Sequence, residues 1–367
     1  MNAAFPRWVD LGLIPLLNLS AAFLVAGLVV LAVGESPLAA VRIILDGALG
    51  YGEGVGFTLF YATNFIFTGL AVAVAFHAGL FNIGAEGQAT LGALGVALAC
   101  LALDHLLPWW LIAPLAVAGA AAFGAAWALI PAYLQATRGS HVVITTIMFN
   151  FLASALMVWL LVNLFKQPGG MAVESRTFAP EARLPKLGGA MEAMGLDIGG
   201  APLNLTFPLA LAAAAAVWAL IWRSRLGHEI RVFGANPEAA RYAGIPALRV
   251  TLTAMLISGA LAGMMALNPV MGDQHRLFLN VAGGAGFVGI AVALMGRAHP
   301  VGVCLAALLF GVLYQGGAEL AFEMPAITRD MVVVIQGLVV LFAGALEHMF
   351  RPALGRLFAP PTRRAAP

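Results

Sequence analysis

Charged residues are scarce in this chain of 367 residues: Asp, Glu, Lys and Arg together make up 10%, whereas apolar residues make up 62%. A soluble domain has about 25% charged and roughly 45–50% apolar residues. The composition therefore excludes a soluble globular protein and predicts one that lies largely in lipid. The alternating pattern of transmembrane β-strands is also absent, so the backbone must satisfy its hydrogen bonds within α-helices.

Lysine and cysteine are nearly missing as well. The two lysines, Lys166 and Lys186, do not follow a glycine-rich loop, so the chain lacks the P-loop that would bind and hydrolyse ATP. The two cysteines, Cys100 and Cys304, lie in apolar runs and predict neither a disulfide framework nor a metal site. The histidines are scattered at segment ends without an HExxH motif, which argues against a membrane-embedded metalloenzyme. We expect no catalytic residue, metal or cofactor in this chain.

Apolar runs of about 20 residues recur along the chain and match the hydrocarbon core of a bilayer. We predict an all-α polytopic membrane protein with about ten transmembrane helices, forming a single domain over residues 1–367. The spans are expected near residues 14–34, 55–76, 87–103, 110–134, 142–165, 205–222, 251–270, 285–296, 300–318 and 331–349. The first run exceeds the roughly 7–15-residue core of a signal peptide, so we expect an uncleaved span there.

The charges between the spans predict the orientation. Most of the 19 Lys and Arg residues fall on the side of the membrane that also holds both termini. Most of the 17 Asp and Glu residues fall on the opposite side. Because cytoplasmic loops are enriched in Lys and Arg, both termini are expected in the cytoplasm. Residues 166–204 then form an extracytoplasmic loop, and residues 223–250 form a cytoplasmic segment. The basic residues are spread over many loops, which argues against nucleic-acid binding.

The cytoplasmic segment contains the pattern of a short, capped helix. Asn236 is a good N-cap, Pro237 suits the first helical position, and Gly244 can end the helix in the left-handed conformation. Helices this short are marginal in water. The helix must therefore lie either against the protein's own cytoplasmic face or in a groove of a cytoplasmic partner. The residues concerned are Asn236, Pro237, Glu238, Ala239, Ala240, Arg241, Tyr242, Ala243 and Gly244.

A single carboxylate, Glu86, lies between the second and third apolar runs. Glu86 is the only Asp, Glu, Lys or Arg between Glu53 and Asp104, in an interval just long enough for two crossings and a break over residues 77–88. Glu86 could begin the third span at the cytoplasmic interface, stabilised by the helix dipole. Alternatively, the break lies deeper and lines a solute pathway, where irregular backbone is tolerated. We favour the second interpretation.

Four neutral amides accompany Glu86 as candidate pathway residues: Asn82, Gln88, Asn64 and Asn150. Amides inside spans more often form hydrogen bonds between helices than contacts with solute. Both roles stay open for these residues.

Three segments resemble a known family, in the order GLFNIGAEGQ (79–88), GANPEAARYAGI (234–245) and GFVGIAVALMGRAHPVGVCLAALLFG (286–311). They are similar to permease subunits of ABC importers in the ribose, branched-chain amino acid and nucleoside group. The similarity is greatest to the larger permease of guanosine-type nucleoside systems and extends over essentially the whole chain. The resemblance implies that residues 236–244 form the coupling helix that receives the motion of an ATPase.

The resemblance also implies partners and a location. The expected partners are a separate ABC ATPase subunit that binds ATP and Mg, a second related permease subunit, an extracytoplasmic solute-binding protein and membrane lipid. The expected location is the bacterial inner membrane. We expect the chain to form half of the translocation pathway for a nucleoside. The alternatives are a permease for ribose-like sugars and an ion-coupled secondary transporter, although the latter would use several acids inside the membrane.

Overall fold

The computed structural model describes residues 13–341, and no strand forms within that range. The predicted all-α fold is therefore confirmed for the described part of the chain. The helices are α1 Ile14–Ala32, α2 Pro37–Leu49, α3 Gly52–His77, α4 Ala85–Leu103, α5 Trp109–Arg138, α6 Val142–Leu160, α7 Gly188–Ala193, α8 Thr206–Arg223, α9 Arg225–Ala235, α10 Pro237–Tyr242, α11 Ala247–Met264, α12 Ala285–Met295, α13 Pro300–Glu323 and α14 Arg329–Val340.

Within residues 13–341, seven helical segments are long and apolar enough to cross a membrane. They are Gly52–His77, Ala85–Leu103, Trp109–Arg138, Val142–Phe165, Thr206–Arg223, Ala247–Gln274 and Pro300–Glu323. An eighth candidate is the pair Ser20–Ala32 and Pro37–Leu49, whose axes are bent by 115°. These segments coincide with eight of the ten predicted spans.

The two remaining predicted spans differ from the rest. The eighth is the 11-residue helix α12, which is only about 16 Å long and cannot cross a bilayer core of about 30 Å by itself. The tenth begins with α14, but its residues 342–349 lie outside the described residues, as do both chain termini. The count of ten spans and the orientation of the termini therefore stay predictions.

The chain divides into two compact units. One comprises the described residues up to Gly47 together with those from Gly316 onward, and in it α14 packs against α1. The other comprises Ala48–Gln315 and contains every candidate functional residue. Its central contacts join α4, α5 and α11. Gly263 of α11 lies directly against the backbones of α4 and α5, which is the close helix approach that small residues permit in membrane proteins.

The predicted loop 166–204 folds onto the second unit. It contains α7, and its side chains Phe178, Ile198 and Leu203 are buried. Arg176 donates hydrogen bonds to both carboxylate oxygens of Asp104, at 2.6 and 2.9 Å. The Arg176 guanidinium holds the pKa of Asp104 below its usual range. The loop is thus fixed to the end of α4 by an ion pair.

Candidate functional site

The predicted break between α3 and α4 is present, and residues 78–84 are not helical. The chain turns at Gly79, whose φ of +70° is one that glycine adopts readily. Gly79 and the end of α3 lie against Gly234 of α9 so closely that a Cβ at Gly234 would collide with the backbone. The turn and α9 are therefore in direct backbone contact.

After this turn the chain runs back alongside α3. Ser258 of α11 connects the two segments, because its hydroxyl donates to the carbonyl of Ala71 at 2.6 Å and accepts from Asn82 Nδ2 at 2.8 Å. Asn82 therefore lies level with Ala71, about 9 Å before the end of α3 at His77. Helix α4, which begins at Ala85, therefore starts even farther from the His77 end of α3.

Three of the predicted pathway amides hold this break in place. Asn82 and Gln88 exchange hydrogen bonds of 2.9 and 3.2 Å between their side chains, and Asn82 Oδ1 also accepts the N–H of Gly84 at 2.9 Å. Asn150 of α6 accepts the N–H of Gly87 at 2.9 Å. The bond from Gly87 to Asn150 joins α4 to α6, whereas the bonds of Asn82 are local to the break and the start of α4. Whether these amides also contact solute stays a prediction.

Glu86 binds the beginning of α12. Its Oε1 accepts the backbone N–H of Gly284 and its Oε2 accepts that of Gly286, both at 2.8 Å. The first N–H groups of a helix lack partners within the helix and carry its positive dipole end. Each carboxylate oxygen thus has a backbone donor, as an ionised, acceptor-only carboxylate requires. Gly284 adopts φ +86°, which a residue with a side chain rarely does.

Helix α12 runs beside α3 in the same direction. Gly289 lies against Thr68, and one turn later Val292 lies against Gly69. The two helices have the same rise per residue, so positions a few residues earlier on each remain roughly level.

This alignment gives the depth of Glu86. Ala285, the first residue of α12, comes roughly level with Asn64, which lies at the middle of the 26-residue helix α3. The Glu86 carboxylate, bound at this end of α12, is therefore near mid-span and not at the helix end where a cytoplasmic interface would be. The geometry agrees with the deep interpretation of the break.

A cavity of about 220 Å³ opens beside this point within the second unit. It lies between the middle of α3, the end of α11 with the loop that follows, and α13. Its lining residues are Phe60, Tyr61, Asn64, Phe65, Met265, Pro269, Asp273, Gln274, Phe278, Val281, Ala282, Gly283, Ala285 and Tyr314.

The cavity combines aromatic rings with a few polar groups. The Tyr314 ring lies 4.9 Å from that of Phe65 and 5.8 Å from that of Tyr61, measured between ring centroids. Asn64 Oδ1 accepts a hydrogen bond of 2.9 Å from Asn268, while no partner for Asn64 Nδ2 occurs within residues 13–341. Asn64 therefore has a free donor beside the aromatic rings of this wall.

The structure thus separates the five predicted pathway residues. Asn64 lines the cavity, and Glu86 lies behind the cavity wall. Asn82 lies in the break, and Gln88 of α4 and Asn150 of α6 lie beside it. Sequence reasoning missed Tyr61, Tyr314 and Asp273. A usable signal was the rarity of tyrosine, since only 5 occur in the chain and two of them line this cavity.

The predicted short helix is also present, as α10. Asn236 Oδ1 accepts the N–H groups of Glu238 and Ala239 at 3.0 and 3.1 Å, and Gly244 has φ +77°. Both predicted caps are confirmed. The helix ends at Tyr242, one residue before Ala243, where the position of Gly244 predicts its end. Ala240 is fully buried, so one face of α10 packs on the protein itself.

The opposite face of α10 is open. Tyr242 is 94% exposed, and Glu238 and Arg241 are exposed beside it. One face of α10 therefore packs on its own protein, as the first alternative predicts. The other face is exposed and could contact a partner, as the second predicts. Its role in coupling stays a prediction.

Comparison with known proteins gives several relatives. A family model for the permease component of branched-chain amino acid transport systems matches residues 54–344. The glucose ABC transporter permease TsgB13 of Haloferax volcanii is 36% identical over 96% of this chain and 92% of its own. The guanosine ABC transporter permease NupP of Bacillus subtilis is 34% identical over 94% and 96%. The nucleoside ABC transporter permease NupB of Lactococcus lactis is 31% identical over 90% of both.

Each of these three organisms also has a second, less similar relative: TsgC13 in H. volcanii and NupQ in B. subtilis, both at 28% identity, and NupC in L. lactis at 26%. The matched residues 54–344 include the break, α10, α12 and nearly all of the second unit. The chain accordingly belongs to the family of permease components of ABC importers that includes the branched-chain amino acid systems.

Proposed function

We propose that this chain forms half of the translocation pathway for a nucleoside in an ATP-driven importer, and that solute passes through the cavity beside Asn64. The observation that carries the proposal is the composition of the cavity wall. A nucleoside combines a planar aromatic base with a hydroxylated ribose. Tyr61 and Tyr314, which are both partly exposed, offer aromatic rings to the base, while Asn64 and Asp273 offer a donor and an acceptor to its polar groups.

The relatives support this choice of solute. NupP and NupB, which are named as guanosine and nucleoside permeases, cover nine-tenths or more of this chain. The occurrence of NupQ beside NupP and of NupC beside NupB supports a second permease that completes the pathway as a heterodimer.

The remaining partners follow from the importer class. A separate ATPase subunit binds ATP and Mg and docks on the open face of α10, with residues 223–250 in the cytoplasm. An extracytoplasmic binding protein delivers the solute on the side of loop 166–204. The proposed location is the bacterial inner membrane.

A sugar is the second candidate solute, because TsgB13 is named as a glucose permease. A ribose-like sugar would form hydrogen bonds with Asn64, Asp273 and Gln274. It would need only one aromatic ring to pack against, because it has no planar base to stack.

The test is uptake by the complete transporter, with labelled nucleoside, ribose and glucose compared. We expect ATP-dependent nucleoside uptake, and deletion of the gene should reduce it while sparing ribose. Tyr314→Leu should weaken nucleoside uptake roughly tenfold, since stacking of a base on an aromatic ring contributes about 1–3 kcal/mol. The matched control is Tyr133→Leu, a tyrosine of α5 that is 53% exposed and lies outside the cavity lining. Uptake of sugar without nucleoside would overturn the assignment.

A further inference from the structure

The cavity wall at the start of α12 has a carboxylate directly behind it. Gly283 and Ala285 line the cavity, and the N–H of Gly284 between them is bound by Glu86 at 2.8 Å. Gly286, which follows Ala285, donates its N–H to the second carboxylate oxygen of Glu86. Only one layer of peptide backbone therefore separates this charge from the space through which solute would move.

No basic side chain balances this charge. The ion pairs within residues 13–341 do not include Glu86, and its two oxygens are bound by backbone N–H groups alone. The cavity lining includes a second carboxylate, Asp273, and contains no Lys, Arg or His. Two acidic groups thus act on the cavity without a basic side chain in its wall. The dipole of α12 places roughly half a unit of positive charge beside Glu86 and therefore offsets its charge only in part.

Glu86 also occupies the place where an anion would otherwise bind. Free N–H groups and the dipole at a helix N-terminus attract phosphate and carboxylate groups. With Glu86 bound there, the start of α12 offers no vacant donor to an anionic solute.

We propose that Glu86 sets the charge selectivity of the pathway: it gives the cavity a negative potential and fills the N-terminus of α12, so that uncharged nucleosides pass and their phosphorylated forms are rejected. The identity of the solute rests on the proposed function. The negative potential is a property of the cavity itself and can be measured without any nucleoside.

The experiment uses a cysteine in the cavity as a reporter of the potential. Cys100 and Cys304 are replaced by Ala, and Tyr314→Cys is introduced in the full transporter, because Tyr314 lines the cavity and lies within electrostatic reach of Glu86. The rates of reaction with a sulfonate-bearing and a trimethylammonium-bearing methanethiosulfonate are then compared. A free thiol in solution provides the reference ratio.

The cationic reagent should react faster than the anionic one by about tenfold or more relative to the free thiol, since a unit charge about 10 Å away at an effective dielectric constant near 20 changes a local concentration by roughly that factor. Glu86→Gln should reduce this preference at least tenfold, whereas Glu86→Asp should retain it. The control Glu192→Gln alters an exposed carboxylate of α7, in loop 166–204 of the second unit, and should leave the reagent preference unchanged.

Two results would overturn the proposal. One is an assembled Glu86→Gln transporter whose reagent preference stays within about twofold of its parent. The other needs no Glu86 variant: it is a ratio of cationic to anionic reaction rates, in the parent with Glu86 intact, that equals or falls below the ratio for the free thiol. If the parent shows the cationic preference but the transporter with Tyr314 intact takes up only sugar, the nucleoside assignment fails and the charge selectivity stands.

Discussion

Replacing Arg176 by Ala removes the cation that binds the outer loop to α4. In the structure Arg176 donates to both oxygens of Asp104, at 2.6 and 2.9 Å, and to the carbonyl of Leu101 at 3.0 Å. The Asp104 side chain is only 1% exposed. Without the guanidinium it retains one backbone donor, the N–H of Ala179 at 3.0 Å. The His105 ring, 3.7 Å away, is the one other basic group near this carboxylate among the ion pairs of residues 13–341. The substitution therefore leaves a buried carboxylate without its two shortest charged contacts.

The expected cost follows from burial. Breaking a fully buried pair costs about 3–5 kcal/mol. Because the Arg176 side chain is 39% exposed, water can replace part of the interaction, and we expect a loss of about 2 kcal/mol in the free energy of unfolding. The measurement is unfolding of the purified protein in detergent at pH 7. The matched control is Arg276→Ala, which removes an equally short bond to Glu174 between side chains that are 35% and 32% exposed. That change should cost below about 1 kcal/mol.

The same pair predicts a pH dependence. Arg176 lowers the pKa of Asp104 in the folded protein, so the ion pair stabilises the fold above the unfolded pKa of Asp, about 3.9. That stabilisation is lost as the pH falls through the lower pKa of the folded state. The difference between wild type and Arg176→Ala should therefore shrink below about pH 4. Equal losses for Arg176→Ala and Arg276→Ala at pH 7 would refute the argument from burial.

Three further predictions concern coupling, orientation and energy. Ala240→Pro removes the N–H that donates to the Asn236 carbonyl at 3.0 Å and should cost about 3 kcal/mol locally, uncoupling ATP hydrolysis from uptake; normal transport would exclude α10 as the coupling element. A single cysteine at Arg183 should react with an impermeant thiol reagent from outside, and one at Glu238 only after the membrane is opened; the reverse pattern would invert the orientation. The purified chain alone should neither bind nor hydrolyse ATP, and activity in a contaminant-free preparation would contradict this.

Local and length-dependent features could be predicted from the sequence. Spans such as α3 and α5 follow from the thickness of the bilayer, which fixes the number of apolar residues per crossing. The caps of α10 follow from Asn236 and Gly244, because a side-chain acceptor and a left-handed glycine act within a few residues of the chain. Neither feature depends on the rest of the fold.

Apolar composition alone could not distinguish a helix that spans the membrane from a short buried helix that spans only part of it. The predicted span 285–296 is a short helix with buried residues along its length, and burial in protein requires the same apolar residues as contact with lipid. Likewise the cavity arises where α3, α11 and α13 meet. The separation of Tyr61 and Tyr314 along the chain gives no sign that their rings lie 5.8 Å apart.

The three segments that carry the family resemblance are neighbours in space. Segment 79–88 meets segment 286–311 where Glu86 binds Gly286, and it meets segment 234–245 where Gly79 lies against Gly234. At Gly234 the contact is backbone to backbone, with no side chain to absorb a displacement. These contacts therefore connect α9 through the break to Glu86 and the cavity wall. The sequence shows which segments matter, whereas their physical connection exists only in the folded chain.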